Sequence, residues 1–186
     1  MIIKSTPLNG AYIIKLKKKK DKRGFFSRIF CSKEFSKKKL EKNFVQFNYS
    51  FSKQKHTLRG MHYQIPPFAE TKLIKCIKGE IFDVILDLRI NSKTFGKSFS
   101  TVLSANNKKM IYVPKGFAHG FLTLKKNSEV LYFVTSPYKK TYEKGVRFND
   151  PKFCIHWPNS PKIISNKDLK LPLFNQEWHC IKKLKL

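Results

Sequence analysis

The fold is constrained most by a succession of short segments in which apolar and polar residues alternate, each closed by glycine, proline or asparagine. Alternation with a period of two indicates a strand with one buried face, and closely spaced turn residues leave little room for helices. One helix is predicted, Lys33–Lys42, with Ser32 as its cap. The predicted strands are Tyr12–Leu16, Phe44–Phe51, Leu58–Tyr63, Lys72–Ile77, Glu80–Leu88, Ser98–Leu103, Met110–Val113, Phe121–Leu124 and Val130–Thr135. Many short strands of even spacing predict an all-β sandwich or barrel.

The alternation also assigns side chains to faces. One face of Glu80–Leu88 carries Asp83 and Asp87 between branched apolar residues. Lys72 and Tyr132 likewise share their strand faces with apolar residues. Polar groups set into apolar walls are typical of small-molecule pockets, so we expect one side of the sheet to line a binding site.

The chain has 186 residues, and this length favours one domain spanning 1–186, with a peripheral C-terminal tail from about residue 173. Lys and Arg number 39 against 12 Asp and Glu, which gives a formal charge of +27. Such a field attracts anions. The lysines are nevertheless scattered, and the runs at 17–20 and 37–39 indicate a solvated turn and a solvated helix face. We therefore expect no specific nucleic-acid partner.

Targeting and cysteine signals point to the cytoplasm. No apolar run at the N-terminus resembles a signal peptide, and no stretch approaches the length of a membrane span. Cys31, Cys76, Cys154 and Cys180 lie far apart, without a C-x-x-C pair. We expect reduced thiols, a buried Cys76 and a cytoplasmic location without membrane contact.

Four segments concentrate residues capable of chemistry. They are DKRGFF at Asp21–Phe26, LRGMHYQ at Leu58–Gln64, PKGFAHGF at Pro114–Phe121, and GVRFNDP at Gly145–Pro151, which is followed by IHWP at Ile155–Pro158. Together, in this order and spacing, they resemble the dTDP-4-dehydrorhamnose 3,5-epimerases over residues 1–172. The resemblance implies a cupin jelly-roll barrel with short peripheral helices and a homodimer. It also implies a nucleotide-diphosphate 4-keto-6-deoxyhexose substrate, a step in dTDP-rhamnose and polysaccharide biosynthesis, and no metal or nicotinamide cofactor.

The chemistry of such a substrate agrees with these residue types. A ketone at C4 acidifies the protons at C3 and C5, so inversion needs a base on one face, an acid on the other and a group that holds the enolate oxygen. An imidazole suits the base, since histidine ordinarily titrates near pH 6.5. The resemblance implies that His62 is the base, Asp168 its orienting carboxylate, Lys72 the enolate contact and Tyr132 the acid.

The resemblance also implies a set of substrate-binding residues. Arginine forks match phosphate oxygens. Arg23 and Arg59 are assigned to the diphosphate, and Gln46, Asn48 and Tyr138 to the nucleotide side. His119 and Asp83 match a second buried pair beside the site.

Strict alternation places Arg59 and His62 on opposite faces of their strand, although the resemblance implies that both serve one site. A bulge at Gly60 would turn both to the same side.

Two positions depart from the family pattern. Arg28 stands where a glutamate near the nucleotide base is common, and Glu70 stands where a glutamine precedes the enolate lysine. Neither removes the predicted acid or base. Both bear on which nucleotide and which sugar are bound.

Three alternatives remain at this point. The first is a mono-epimerase or ketoisomerase acting on a different nucleotide 4-keto sugar, with nearly the same site residues. The second is a metal-dependent cupin, which is disfavoured because His62-x-Gln64 replaces the expected His-x-His pair. The third is a nucleic-acid binding module, which rests only on the charge.

Overall fold

A computed structural model describes residues 1–179, so Cys180 lies outside the described residues. The strands are β1 Ile2–Ser5, β2 Tyr12–Lys15, β3 Lys19–Asp21, β4 Gly24–Phe26, β5 Gln46–Ser52, β6 Thr57–Gln64, β7 Lys72–Lys78, β8 Glu80–Asp87, β9 Ser98–Ser104, β10 Lys109–Val113, β11 Phe117–Thr123, β12 Ser128–Val134, β13 Glu143–Gly145 and β14 Ile163–Ile164. The helices are α1 Ser32–Lys37, α2 Asn166–Leu169 and α3 Gln176–His179, with a 3₁₀ turn at Lys140–Tyr142.

Two antiparallel sheets make up the body of the protein. The first has the order β1-β2-β10-β7-β12-β5, and the second has the order β13-β6-β11-β8-β9, with β14 added parallel to β6. Apart from the consecutive pairs β1–β2 and β8–β9, neighbours in each sheet come from distant parts of the chain, as in a jelly roll. The predicted all-β jelly-roll barrel with short helices is therefore confirmed. Strands β3 and β4 form a separate hairpin.

The core lies between the two sheets. Apolar side chains on the inner faces pack into one buried cluster, which includes Ile74 and Cys76 of β7 and Ile81 and Ile85 of β8. Alternation on β7 and β8 was therefore assigned to the correct faces. A second buried cluster lies behind β6 and β8. The third lies on the outer face of the first sheet, where Phe35 of α1 is fully buried.

Nine predicted strands correspond to β2 and β5–β12. Strands β1, β3, β4, β13 and β14 were not predicted because alternation is hard to recognise over two to four residues; β2, which also has four, was predicted as part of the longer run Tyr12–Leu16. The lysine run at 17–20 is exposed as expected, but its second half belongs to β3 rather than to a turn.

The predicted helix Lys33–Lys42 corresponds to α1, but its predicted C-terminal end and its predicted N-cap were wrong. Helix α1 stops at Lys37, and Lys39 adopts a positive φ of 55° while the Leu40 N–H donates to Phe35 O. This left-handed turn closes the helix, so the run of lysines cannot continue it. The N-cap is Cys31, without a side-chain cap bond, and Ser32 is the first helical residue.

The three described cysteines are free thiols. Cys76 is fully buried, as predicted, and burial raises the pKa of its thiol to about 11. None of the helices in the described part of the chain is long and apolar enough to cross a membrane.

The predicted bulge in β6 is present. His119 pairs with His62 and Phe121 with Arg59, so an advance of three residues along β6 corresponds to two residues along β11. The extra residue turns Arg59 and His62 to the same side of the sheet, and both line one cavity.

Gly60 makes the bulge possible because the neighbouring strand lies against it. Its φ is +117°, and a Cβ there would lie 2.5 Å from Gly120 Cα and 2.7 Å from His119 O. Contact with backbone cannot be relieved by rotating a side chain. Both the conformation and the contact therefore require glycine.

We expect Gly60→Ala to lower the free energy of unfolding by at least about 3 kcal/mol, since it combines backbone strain with a steric clash. Gly24→Ala is the matched control: its φ is +131°, but no atom lies within 4 Å of the added Cβ. It should lose about 1–2 kcal/mol. Urea unfolding of both variants measures the difference, and equal losses would show that the contact with Gly120 is unimportant.

Candidate active site

A cavity of about 500 Å³ opens between the inner faces of the two sheets. This volume suits a small-molecule ligand. The second sheet and the adjoining α2 supply one wall, and the first sheet supplies the other. The residues that line it include Arg59, His62, Lys72, His119, Tyr132 and Asp168.

His62 and Asp168 form a hydrogen-bonded pair, with His62 Nε2 2.8 Å from Asp168 Oδ1. Strand β14 lies parallel to β6 and leads into α2, which brings Asp168 beside His62. The Gly60 N–H donates to Asp168 Oδ2 at 3.1 Å, and Ser165 caps α2 by accepting from the Asp168 N–H. Both carboxylate oxygens and the backbone of Asp168 are therefore fixed.

The charge of Asp168 sets the tautomer of His62. Burial works to raise the pKa of Asp168, but the hydrogen bonds from His62, Gly60 and Ser165 outweigh it and hold the pKa below its ordinary value. The ionised carboxylate accepts the proton on Nε2, so Nδ1 of a neutral ring carries the lone pair. Among residues 1–179, no group is hydrogen-bonded to Nδ1. This nitrogen is available to accept a proton.

Tyr132 approaches the cavity from the opposite sheet. It lies on β12, opposite Ile74 of β7 and two residues along from the level of Lys72, and shares their inner face. Burial raises the pKa of the Tyr132 phenol, and the negative charge of Glu70 raises it further. The phenol therefore stays protonated at neutral pH and can donate a proton.

Lys72 is nearly buried, with 10% of its side chain exposed, and its ammonium forms an ion pair with Glu70 at 3.0 Å. A weaker contact of 3.4 Å joins Lys72 Nζ to His62 O. A cation with this little solvent provides a strong field for a negatively charged oxygen.

His119 and Asp83 form a second pair, with Nε2 and Oδ2 2.8 Å apart. Asp83 is fully buried, and its Oδ1 has no hydrogen-bond partner among the described residues. His119 faces the same cavity as His62. The prediction that this face of β8 lines the pocket is therefore wrong: Asp83 only contacts His119, which does line the cavity, and Asp87 forms a buried ion pair with Arg89.

A smaller compartment of about 350 Å³ adjoins the main cavity, and the two share His62, Lys72 and Tyr132. Gln46, Asn48 and Tyr138 line this compartment. Gln46 donates to Asn48 Oδ1 at 2.9 Å and accepts from the Tyr138 N–H at 3.0 Å. The three residues assigned to the nucleotide side therefore lie together.

Arg59 lies at the mouth of the main cavity, where it donates to Ser52 Oγ and Phe51 O. Arg23 is not brought to either compartment: it lies on the exposed β3–β4 hairpin and pairs with Asp21 at 2.7 Å. Arg28 also lies elsewhere and contacts Glu34 at 3.4 Å.

Sequence reasoning missed Glu143 and Lys167. Lys167 Nζ and Tyr138 OH both donate to Glu143 Oε2, at 2.6 and 2.8 Å, and so join α2, β13 and the loop before the 3₁₀ turn. Burial works to raise the pKa of Glu143, but these two donors hold it below its ordinary value. Only the adjacency of Lys167 to Asp168 hinted at this network.

Gln64 does not face a metal position. Its amide nitrogen, which has two hydrogens to donate, lies within hydrogen-bonding distance of Phe68 O, Glu70 Oε2 and Pro137 O, and its oxygen accepts from the Lys139 N–H. Its hydrogen bonds thus connect the loop between β6 and β7 to the loop that follows β12. Within residues 1–179, no three His, Cys, Asp or Glu side chains are grouped to hold a metal ion.

Comparison with known proteins identifies the relatives of this chain. The family model for dTDP-4-dehydrorhamnose 3,5-epimerase matches residues 5–176. The enzyme of that name from Sinorhizobium fredii is 40% identical over 173 residues, which cover 92% of this chain and 89% of the relative.

Solved structures agree. The dTDP-4-dehydrorhamnose 3,5-epimerase of Elizabethkingia anophelis is 40% identical, with 96% and 98% of the two chains covered and a TM-score of 0.92. The dTDP-6-deoxy-D-glucose-3,5-epimerase of Legionella pneumophila, solved in complex with dTDP-4-keto-L-rhamnose, is 35% identical, with 98% and 99% covered and a TM-score of 0.90.

The lowered pKa of Asp168 predicts a pH effect on stability. Because the carboxyl is more acidic folded than unfolded, its charge stabilises the fold at neutral pH, and that contribution is lost as the pH falls below about 4. Asp168→Asn should therefore show a shallower loss of stability between pH 5 and 3 than the wild type. Urea unfolding across this range tests it, with the exposed Glu177→Gln as control. Parallel curves for Asp168→Asn and the wild type would contradict it.

Proposed function

This chain belongs to the dTDP-4-dehydrorhamnose 3,5-epimerase family, isomerases that invert C3 and C5 of a nucleotide-linked 4-keto-6-deoxy sugar, and we propose that it does so with His62 as base and Tyr132 as acid. The mono-epimerase, ketoisomerase, metal-cupin and nucleic-acid alternatives are set aside in favour of this function. The absence of a metal requirement, the cytoplasmic location and the lack of a specific nucleic-acid partner stay predictions.

The observation that carries the proposal is the placement of the two groups on facing sheets. His62 comes from β6 of the second sheet and Tyr132 from β12 of the first, and both line the cavity between them. A sugar ring held in that cavity presents one face to the imidazole and the other to the phenol. Inversion of a carbon requires this arrangement, since the proton leaves one face and returns to the other.

The proposed step balances within these residues. His62 Nδ1 takes the proton from the carbon next to the ketone, and the C–H electron pair forms the double bond of an enolate. The Tyr132 phenol then gives its proton to the opposite face, the ketone re-forms, and the residues are left as imidazolium and phenolate. Proton exchange with water restores both. Asp168 stabilises the imidazolium through its 2.8 Å hydrogen bond.

Lys72 is proposed to face the enolate oxygen, where its charge would oppose the developing negative charge. We assign His119, held by Asp83, to a polar contact beside the same oxygen or a sugar hydroxyl. Arg59 would bind the diphosphate at the cavity mouth, and the compartment of Gln46, Asn48 and Tyr138 would hold the nucleotide.

We also propose a homodimer, which the resemblance implies. The edge strand β5 exposes a row of large apolar side chains, with exposed fractions of 68% for Phe47 and 58% for Tyr49. Phe25 and Phe26 on the β3–β4 hairpin are exposed as well. An exposed apolar row of this kind is typical of an interface. A partner over it could place the hairpin, with Arg23, at the site of the second copy.

Deuterated water distinguishes the roles of base and acid. The wild type should introduce deuterium at both C3 and C5 with inversion. His62→Ala should slow exchange at both carbons by roughly 10³-fold. Tyr132→Phe should still exchange on the His62 face, but with retention, and its inversion should fall by about 10²-fold. His156→Ala, on the surface, is the matched control. Near-wild-type exchange in His62→Ala would show that another residue is the base.

Mixing two inactive variants tests the contribution of Arg23 to a second copy. Arg23→Ala should lose about 10- to 100-fold in kcat/KM, as expected for a charged hydrogen-bonding group. Unfolded and refolded together with His62→Ala, it should regain activity at roughly a quarter of the sites by random pairing. If the mixture stays as inactive as its components, Arg23 serves its own subunit or no site.

A further inference from the structure

Glu70 introduces a buried negative charge into the proposed proton-transfer site. It lies in the loop between β6 and β7, and only 9% of its side chain is exposed. Its Oε1 lies 3.0 Å from Lys72 Nζ, and its Oε2 accepts from Gln64 Nε2 at 2.8 Å. The carboxylate is therefore held by one donor on each oxygen.

Gln64 keeps Glu70 from moving. The Gln64 side chain is almost fully buried and is also bonded to Phe68 O, Pro137 O and the Lys139 N–H. Because these contacts fix the loops on both sides, the position of the carboxylate is set by the fold. The ion pair with Lys72 is thus present before any ligand arrives.

We propose that Glu70 is a positioning residue for the epimerisation. It holds the Lys72 ammonium on the Gln64 side of the pocket, and its carboxylate partly neutralises the positive charge of that ammonium. This inference rests on the proposed roles of Lys72 and Tyr132. An enolate oxygen must compete with Glu70 for Lys72, so Glu70 weakens the interaction between Lys72 and the enolate. In return, Glu70 keeps the Lys72 ammonium in one position and keeps the Tyr132 phenol protonated.

The effect of Glu70 on the pKa of the Tyr132 phenol follows from the charged groups around that phenol. Burial raises the pKa of Tyr132, Glu70 and Glu143 raise it further, and Arg59 opposes them. His62 and Lys72 line the same cavity. Among the charged groups, Glu70 makes the largest contribution to this shift. Removing its charge should therefore make the Tyr132 phenol more acidic.

Glu70→Gln is the decisive variant because it keeps the shape and an acceptor for Lys72 but removes the charge. We expect single-turnover exchange of the C3 and C5 protons for deuterium to rise about fivefold near pH 7, as removal of one screened charge would give. The alkaline limb of the pH–rate profile should move to lower pH. Glu41→Gln, whose exposed carboxylate pairs with Lys115 and does not line the cavity, is the control and should change neither quantity.

An intact Glu70→Gln protein with unchanged or slower exchange, or with an unmoved alkaline limb, overturns the inference. Circular dichroism and the unfolding midpoint establish that the variant is folded. If it does not fold, Glu70→Asp takes its place: the charge remains but is drawn back from Lys72 and Tyr132. Exchange should then rise and the alkaline limb should move to lower pH, both by less than expected for Glu70→Gln, and wild-type or slower exchange in Glu70→Asp would overturn the inference.

Lys72→Met and Tyr132→Phe separate this inference from the proposed function. If both lose inversion and Glu70→Gln behaves as the wild type, only the role of Glu70 fails. If Lys72→Met or Tyr132→Phe retains wild-type inversion, the proposed function itself fails.

Discussion

The contact between the backbones of Gly60 and Gly120 is the constraint on which the site depends. Without side chains at these positions, β6 and β11 approach closely enough for a bulge that turns Arg59 and His62 to one side. The Gly60 N–H also donates to Asp168 Oδ2. The proposed base His62, its carboxylate partner Asp168 and the arginine proposed to bind the diphosphate are therefore placed by one irregularity in an otherwise regular ladder. Irregular strands are often found where a side chain must be re-aimed.

The facing sheets keep the proposed acid and the proposed base apart. A base and an acid on the same strand face would meet and exchange a proton with each other, whereas His62 and Tyr132 lie on opposite walls. Electrostatics then sets each protonation state: an ionised Asp168 fixes the His62 tautomer, and burial with Glu70 keeps the Tyr132 phenol neutral. The buried carboxylates beside the cavity each have a cationic or imidazole partner, which limits the cost of their burial.

One chain holds most of the proposed binding residues but leaves the Arg23 hairpin distant from the cavity. The outer face of the first sheet is covered by α1 around Phe35, while the row on β5 is left to solvent. A second copy would bury that row and bring its hairpin toward the diphosphate. Assembly and substrate binding would then be linked, since one surface would serve both.

The sequence alone determined the strands β2 and β5–β12, the faces of β7 and β8, and the family, because alternation and short motifs are properties of neighbouring residues. His62 was found from such a motif. It could not determine the end of α1, where Lys39 turns left-handed, or the remote position of Arg23. Nor could it show that Glu143 joins Lys167 or that Glu70 pairs with Lys72. The tertiary structure decided these because each depends on strand register and on the electrostatic environment of groups brought together by folding, as His62 and Asp168 are across 106 positions.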